Sequence, residues 1–214
     1  MKIFKNFQQF LKNFGDKPYY QALAKELRGY NSVLDVGCGS WSPLAKVKKN
    51  FYSEGFDIHR PSIKKIERTK THDKYKIGDA ERIDKFYEPK SFDAVMALDL
   101  IEHLEKKNGL RLLKKMEAIA KKKVIVLTPN GFIKQDSIED NPYQVHQSGW
   151  TVEELKKLGY KVYGMRGLKF IRGEKASIRY KPWFFWGWLS TLSQFLVYWF
   201  PHFAYQLMAV KDGN

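Results

Sequence analysis

The stretch VLDVGCGSWSPL, from Val33 to Leu44, constrains the chain most, because an apolar run ends there in Asp35-Val36-Gly37-Cys38-Gly39 and then turns polar. Four residues of that kind read as a buried strand, and the two glycines make a turn that backbone can take tightly and a ligand can approach closely. Four more apolar runs follow: Phe51 to Ile58, Tyr75 to Ile77, Phe92 to Leu98, and Val124 to Leu127. They alternate with helix-like stretches near Asp16 to Arg28, Ser42 to Asn50, Pro61 to Arg68, Glu81 to Phe86 and Leu100 to Lys121. Strands alternating with helices predict parallel βαβ units and a doubly wound α/β sheet. In such sheets ligands bind beyond the carboxyl ends of the strands, where the glycine turn lies.

The 214 residues suit one domain, and 43% hydrophobic with 29% charged residues excludes a disordered chain. Cys38 is the single cysteine, so neither an internal disulfide nor a cysteine-rich zinc cluster is available, and a cytoplasmic setting is expected. In MKIFKNFQQFLKNFGDK the lysines interrupt the apolar residues. That excludes a signal-peptide core, while Phe4, Phe7, Phe10, Leu11 and Phe14 recur as on a short amphipathic helix. A net charge of +15 favours phosphate-bearing partners, but the lysines are spread along helix faces and do not choose between membrane and nucleic acid.

The turn excludes two phosphate binders. A dinucleotide fingerprint would need glycine where Ser42 stands, and no Gly-Lys-Ser or Gly-Lys-Thr follows for a Walker loop. A nucleotide-like ligand lacking a pyrophosphate remains.

On these residues the chain resembles the class I methyltransferases that use S-adenosylmethionine. Their first strand ends in a pattern like Asp-x-Gly-x-Gly, matched by Asp35, Gly37 and Gly39. Asp57, at the end of the second run, stands where the family binds the ribose hydroxyls, and Gly78-Asp79-Ala80 where it flanks the adenine. Ser91 to Val95, followed by Asp99-Leu100-Ile101-Glu102-His103-Leu104, matches the fourth strand and its loop. Asp35, Asp57 and Asp79 lie 22 residues apart, and the match runs from about Ser32 to Val210. The resemblance implies a seven-stranded, mostly parallel Rossmann-like sheet with an antiparallel C-terminal hairpin. It implies S-adenosylmethionine held by Asp35, Gly37, Gly39, Asp57, Ile58, Asp79, Ala80 and Asp99. The single domain then divides into N-terminal helices (1–30), a cofactor-binding core (31–165), a basic and aromatic insertion (166–202) and a last strand (203–211). Trp41 is placed to wall the methionine end or to cover the sheet, and Cys38 reads as a small structural residue rather than a nucleophile.

Methyl transfer from a sulfonium is an in-line displacement, so a base is needed only where the acceptor loses a proton. Asp99, His103 and His146 are the candidate catalytic groups. His103 also suits a cofactor wall or cap, and His146 a solvated loop. Thr128-Pro129-Asn130, then His146, Trp150, Thr151 and Glu154, are similar to small-molecule and glycan O-methyltransferases, including the ubiquinone-biosynthesis type. In those relatives the loop after the fifth strand covers the acceptor, here the polar stretch Thr128 to Gln147. Thr-Val-Glu-Glu at Thr151 reads as a capping box opening a helix.

Asp99-x-x-Glu102-His103 with His146 also resembles the metal-binding set of the small-RNA 2'-O-methyltransferases, whose first ligand is Glu where this chain has Asp99. The preferred expectation is O-methylation of a small molecule or glycan intermediate, a lipid-linked one included, without a metal. RNA methylation with a divalent cation and a noncatalytic cofactor-binding or membrane-adaptor domain are the alternatives.

From Pro182 to Val210 no Asp, Glu, Lys or Arg occurs. At helical periodicity Phe184, Phe185, Trp188, Leu189, Leu192, Phe195, Leu196 and Trp199 share one broad face, opposite Gly187, Ser190, Thr191, Gln194 and Tyr198. This predicts an amphipathic helix ended at Pro201. Its aromatic face is expected to pack on the domain or on a second copy in a homodimer. The functional alternative is a helix over 182–200 resting on an anionic membrane beside Lys169, Arg172, Lys175, Arg179 and Lys181.

Overall fold

The structure is a computed structural model and describes residues 17–47, 50–137, 141–173 and 176–213. The expected amphipathic pattern over Phe4 to Phe14 lies outside them. Seven strands are formed: β1 (Ser32–Val36), β2 (Tyr52–Asp57), β3 (Lys74–Ile77), β4 (Phe92–Leu98), β5 (Ala120–Pro129), β6 (Lys161–Leu168) and β7 (Ala204–Asp212). They make one sheet in the order β3-β2-β1-β4-β5-β7-β6. Strands β1 to β5 pair in parallel, and β7 inserts antiparallel between β5 and β6. This is the expected doubly wound sheet with its antiparallel C-terminal strands. The order reverses between β1 and β4, so the crevice of the fold opens beyond their carboxyl ends.

Strand β4 is buried along its whole length, as the apolar run from Ala94 to Leu98 requires of a central parallel strand, and the buried Asp93 near its start accepts from Asn31 N. One face of the sheet packs against helix α3 (Lys106–Ile119) and helix α4 (Val152–Lys157) through Leu112, Leu113, Met116, Val152 and Leu155. The opposite face takes Tyr19, Leu23 and Leu27 of helix α1, described over residues 17–26, and of the turn after it. Helix α2 (Arg60–Glu67) closes the β2–β3 end with Ile63 and Ile66 beside Cys38. Helix α4 opens with the expected capping box, Thr151 and Glu154 each bonding the other's backbone.

The sequence reading is corrected at three helices. Ser42 to Asn50 holds only the 3-10 turn Pro43–Lys46 among its described residues, and Glu81 to Phe86 is likewise a 3-10 turn, Ala80–Lys85. Leu100 to Lys121 splits into a 3-10 turn, Ile101–His103, and α3, while β5 begins at Ala120. The cause of the split is tertiary. The carbonyl of Ile101 accepts from Trp150 Nε1 and Ser148 Oγ, that of Glu102 from the backbone N–H groups of Gln147 and Ser148, and that of His103 from Gln147 Nε2. With these carbonyls engaged and Leu104 and Glu105 extended at ψ of 152° and 145°, the α-helical ladder starts only at α3.

Helix α5 (Trp183–Trp199) is formed as the periodicity predicts, but its orientation overturns one branch of the expectation, packing of the aromatic face on the domain itself. Ser190, Ser193, Gln194 and Val197 are its buried residues, and the aromatic face points away from the domain. The reason lies in β6, the edge strand of the sheet. Its ladder is interrupted between Met165 and Leu168, where Arg166 and Gly167 have φ of 62° and 70°. The freed N–H groups donate to α5, Gly167 to Gln194 Oε1 at 3.1 Å and Leu168 to Ser193 Oγ at 3.1 Å. Gln194 Nε2 donates back to Gly164 O at 2.9 Å. The polar face is spent on satisfying an edge strand, which leaves the apolar face outside.

Candidate active site

The glycine turn is built by its own backbone. Gly37 and Gly39 adopt φ of 73° and 59°, where a side chain is strained. A Cβ on Gly37 would also stand 2.7 Å from Leu100 Cδ1. The N–H of Gly37 donates to Phe56 O at 2.7 Å, tying the turn to β2. Asp57 completes the lock, accepting from Gly39 N at 2.8 Å and from His59 N at 2.7 Å, one on each carboxylate oxygen. Burial raises its pKa, and these two N–H groups pull it back. Each oxygen keeps a further lone pair toward a ligand.

Beneath the turn Asp35 is buried, accepting from Ser42 Oγ at 2.5 Å and lying 2.9 Å from His72 Nε2. The structure therefore gives this carboxylate a supporting place under the turn. Ser42 belongs to the motif itself, whereas His72 arrives from the loop before β3 and is not visible in it. Cys38 is buried and its thiol is pushed far up by burial, then by Asp35 and Asp57, so it is no nucleophile. Trp41 is about half exposed, so it does not cover the sheet. At the end of β3, Asp79 caps the Ala80–Lys85 turn by accepting from Glu81 N at 2.9 Å. Ile58 and Ala80, half-buried, complete that side.

Asp99 ends β4 in the left-handed region at φ 55°, with its N–H on Leu127 O. Its side chain is accessible to solvent, yet protein around it raises its pKa by desolvation, against which Arg166 acts to lower it. An accessible group so desolvated lies in a recess. Gln206 Nε2 donates to Asp99 Oδ1 at 2.6 Å. Two buried atoms, Gln206 Oε1 and Tyr19 Oη, have no hydrogen-bond partner, and Tyr19 is near enough for Asp99 to raise its pKa. A buried polar atom left unpaired is costly, and a polar ligand would satisfy both. A recess of that polarity beside a side-chain-free turn fits the charged amino-acid end of S-adenosylmethionine. Sequence reasoning had named Asp99 and missed Tyr19, Arg166 and Gln206.

Glu102, His103 and His146 form a cluster whose nearest oxygen and nitrogen atoms lie within 4.8 Å of one another. Two devices assemble it. The 3-10 turn aims Glu102 and His103 inward, and Trp150, wholly buried, anchors the far end of the loop that carries His146. A Cβ on Gly109 would stand 2.6 Å from Trp150 Cζ2, so that glycine makes room for the indole. Lys106 Nζ sits 3.8 Å from the Trp150 ring and bonds Gly149 O and Glu154 Oε2.

Each imidazole of the cluster has Nδ1 on a carbonyl, His103 on Val145 O at 3.2 Å and His146 on Ile133 O at 2.6 Å. That geometry assigns the proton to Nδ1 and leaves each Nε2 as a lone-pair donor. Burial, and then the neighbouring His146, pushes His103 down to about 4, and burial lowers His146 as well. Both rings are neutral at physiological pH. Burial and the charge of Asp99 raise the Glu102 carboxyl well above the usual range, although Thr128 Oγ1 donates to it at 3.0 Å. Two neutral imidazoles oriented by carbonyls, with one carboxylate, is a donor set that fits a divalent cation. Asp99 lies outside the set, its Oδ1 bonded by Gln206.

The sheet order, the glycine turn and the acidic strand ends define a nucleotide-type methyl-donor site. Residues 34–131 match the protein family described as a methyltransferase domain. The matched stretch, somewhat under half of the chain, is similar to a methyltransferase domain, and the strand-end site fits S-adenosylmethionine as its cofactor. Among solved structures it is similar to a SAM-dependent methyltransferase from Archaeoglobus fulgidus, at 19% identity and a TM-score of 0.59, covering 92% of each chain. It is similar too to the methyltransferase domain of a bacterial CtHen1, at 18% identity and TM-score 0.58, over 94% of this chain and 100% of that one. TehB from Haemophilus influenzae matches at 12% identity and TM-score 0.58, over 92% of this chain and 62% of its own. No curated protein matches the chain in sequence.

Proposed function

We propose that the protein transfers the methyl group of S-adenosylmethionine to a hydroxyl oxygen of a small-molecule or glycan intermediate. The observation that carries this reading is the pair of neutral, desolvated imidazoles in and beyond the turn after β4, each with Nδ1 on a carbonyl oxygen. The hydroxyl oxygen attacks the sulfonium methyl carbon, a carbon–oxygen bond forms, and the carbon–sulfur bond breaks with its electrons leaving on sulfur. The hydroxyl proton passes to the imidazole pair, in which His146 is the less buried ring. Asp57 and Asp79 would hold the ribose and adenine of the donor, and the Asp99 recess its amino-acid end. A divalent cation on Glu102, His103 and His146 would supply Lewis acidity to the same hydroxyl.

The cluster favours one other acceptor, a ribose 2'-hydroxyl of RNA, which also suits the +15 charge. Labelled-methyl transfer to sugars, phenols, glycolipids and bulk RNA separates the two. A methyl ether on a small hydroxylated acceptor, lost in His146→Ala, is expected. Methyl on nitrogen or carbon, or a His103→Ala/His146→Ala double variant at full rate, sinks the reading.

A further inference from the structure

We infer that the aromatic face of α5 is a docking surface for an anionic lipid bilayer, on which the protein lies with the mouth of its donor site toward the membrane. No helix among the described residues is long and apolar enough to cross a membrane, so the contact is interfacial.

The helix is turned inside out relative to a core helix. Its inward stripe is Ser190, Ser193, Gln194 and Val197, and its outward stripe is Phe184, Trp188, Leu192, Phe195, Leu196 and Trp199, with Phe195 82% exposed. The orientation is built in, because Gly164 and Gly167 admit the helix backbone. A Cβ on either would stand 2.1 Å from a helix carbonyl oxygen, that of Val197 or of Ser190. A helix held this closely by polar bonds cannot roll its aromatic side inward. Such a continuous exposed apolar face on a folded domain marks an interaction site.

Three features choose lipid as the occupant. The first is charge. Arg179 and Lys181 are exposed at the start of α5, no acidic residue occurs between Lys175 and Lys211, and the chain carries +15. An anionic surface neutralises this rim, whereas a second copy would oppose it with its own. The second is composition. Trp183, Trp186, Trp188 and Trp199 are four of the six tryptophans, and indoles partition to the level of lipid headgroups. The third is position. Ser190 stands at Gly167 and Gln194 spans Gly164 to Gly167, so α5 runs opposite to β6, and Trp183 to Leu189 extend about 10 Å past the strand's carboxyl end. That end lies on the same side of the sheet as the glycine turn and Asp99, because β6 is antiparallel to β7 and β7 to β5. A bilayer under the aromatic face therefore adjoins the acceptor entrance, and an amphiphilic acceptor could enter from it.

The inference is independent of which hydroxyl is methylated. It is tested on the full chain by flotation with phosphatidylcholine vesicles, with and without 30% phosphatidylglycerol, while light scattering gives the mass of the free protein. Wild type is expected to float with anionic vesicles at least about tenfold more strongly than with neutral ones, with tryptophan emission shifting to the blue. The variant Trp188→Ser/Phe195→Ser, whose side chains are solvent-exposed, should lose flotation by about tenfold or more while keeping its S-adenosylmethionine affinity and melting temperature. Wild type left unbound by anionic vesicles overturns the proposal. Flotation of the variant equal to wild type overturns it too, since charge alone would then suffice. A dimer that the variant dissolves assigns the face to a second copy and also overturns it.

Discussion

The His103 and His146 rings meet edge to face with centroids 4.8 Å apart, although the residues are 43 positions apart in the chain. Each ring gives its Nδ1 to a carbonyl outside the pair, Val145 O or Ile133 O. The carbonyls orient both rings, and burial lowers the basicity of both, with His146 adding to the effect at His103.

The pH profile should show that depression. A ring with lowered pKa stays unprotonated at a pH where an ordinary histidine would be half charged, so the acid limb of methyl transfer is expected well below pH 6.5. Initial rates between pH 4.5 and 8 at saturating cofactor measure it. A midpoint at or above 6.5 would take the base role from these rings.

Metal removal separates a ligand role from a proton-acceptor role. If Glu102, His103 and His146 hold a cation, chelation lowers methyl transfer by about 100-fold or more and leaves cofactor binding largely unchanged, since Asp57 and Asp79 lie at other strand ends and Asp99 lies outside the cluster. Readdition of Mg2+, Mn2+, Co2+ or Zn2+ to the stripped protein restores the rate. Equal rates before and after chelation would leave the imidazoles acting alone.

Asp57→Ala should weaken S-adenosylmethionine binding by roughly 10- to 100-fold in calorimetry, the worth of hydrogen bonds to a charged group. Asp57→Asn should fall between. The carboxylate both accepts from Gly39 N and offers its remaining lone pairs to the ribose, so the variant loses the contact and the turn's support together. Unchanged affinity in the alanine variant would remove Asp57 from the site.

His72→Ala strips a partner from the buried Asp35 and leaves it Ser42 as its side-chain partner among the described residues. The expected cost is about 1–3 kcal/mol of stability, read as a lower denaturant midpoint at constant slope. No change would show that Asp35 is satisfied without the ring.

Gly164→Val tests how α5 is held. The new Cβ would stand 2.1 Å from Val197 O, so helix and strand must part, at a cost of about 1–3 kcal/mol or more. Limited proteolysis should then cut near residues 176–183 first. A variant as resistant as wild type would mean that the helix can shift without loosening.

The donor half of the site was legible because its residues sit at the ends of strands whose order the βαβ pattern implies. Asp35, Asp57 and Asp79 close three successive strands, and Gly37 and Gly39 need their turn whatever surrounds them. Local chemistry at fixed spacing survives translation into structure. The long helix Leu100 to Lys121 was not legible in the same way. Its periodicity runs through Ile101 to His103, and the helix fails there, where Gln147, Ser148 and Trp150 take the carbonyls.

The sequence by itself determined the class of fold, the donor and the amphipathicity of α5. Those follow from period, turn chemistry and the order of strand-ending residues. The tertiary structure alone decided that His103 and His146 share a site with Glu102, that Asp35 rests on His72, and that α5 turns its polar side inward. Each of these depends on where backbone donors and acceptors are left unpaired. That is settled only when distant segments compete for the same hydrogen bonds, as Gln194 does for Gly167 at the broken edge of β6.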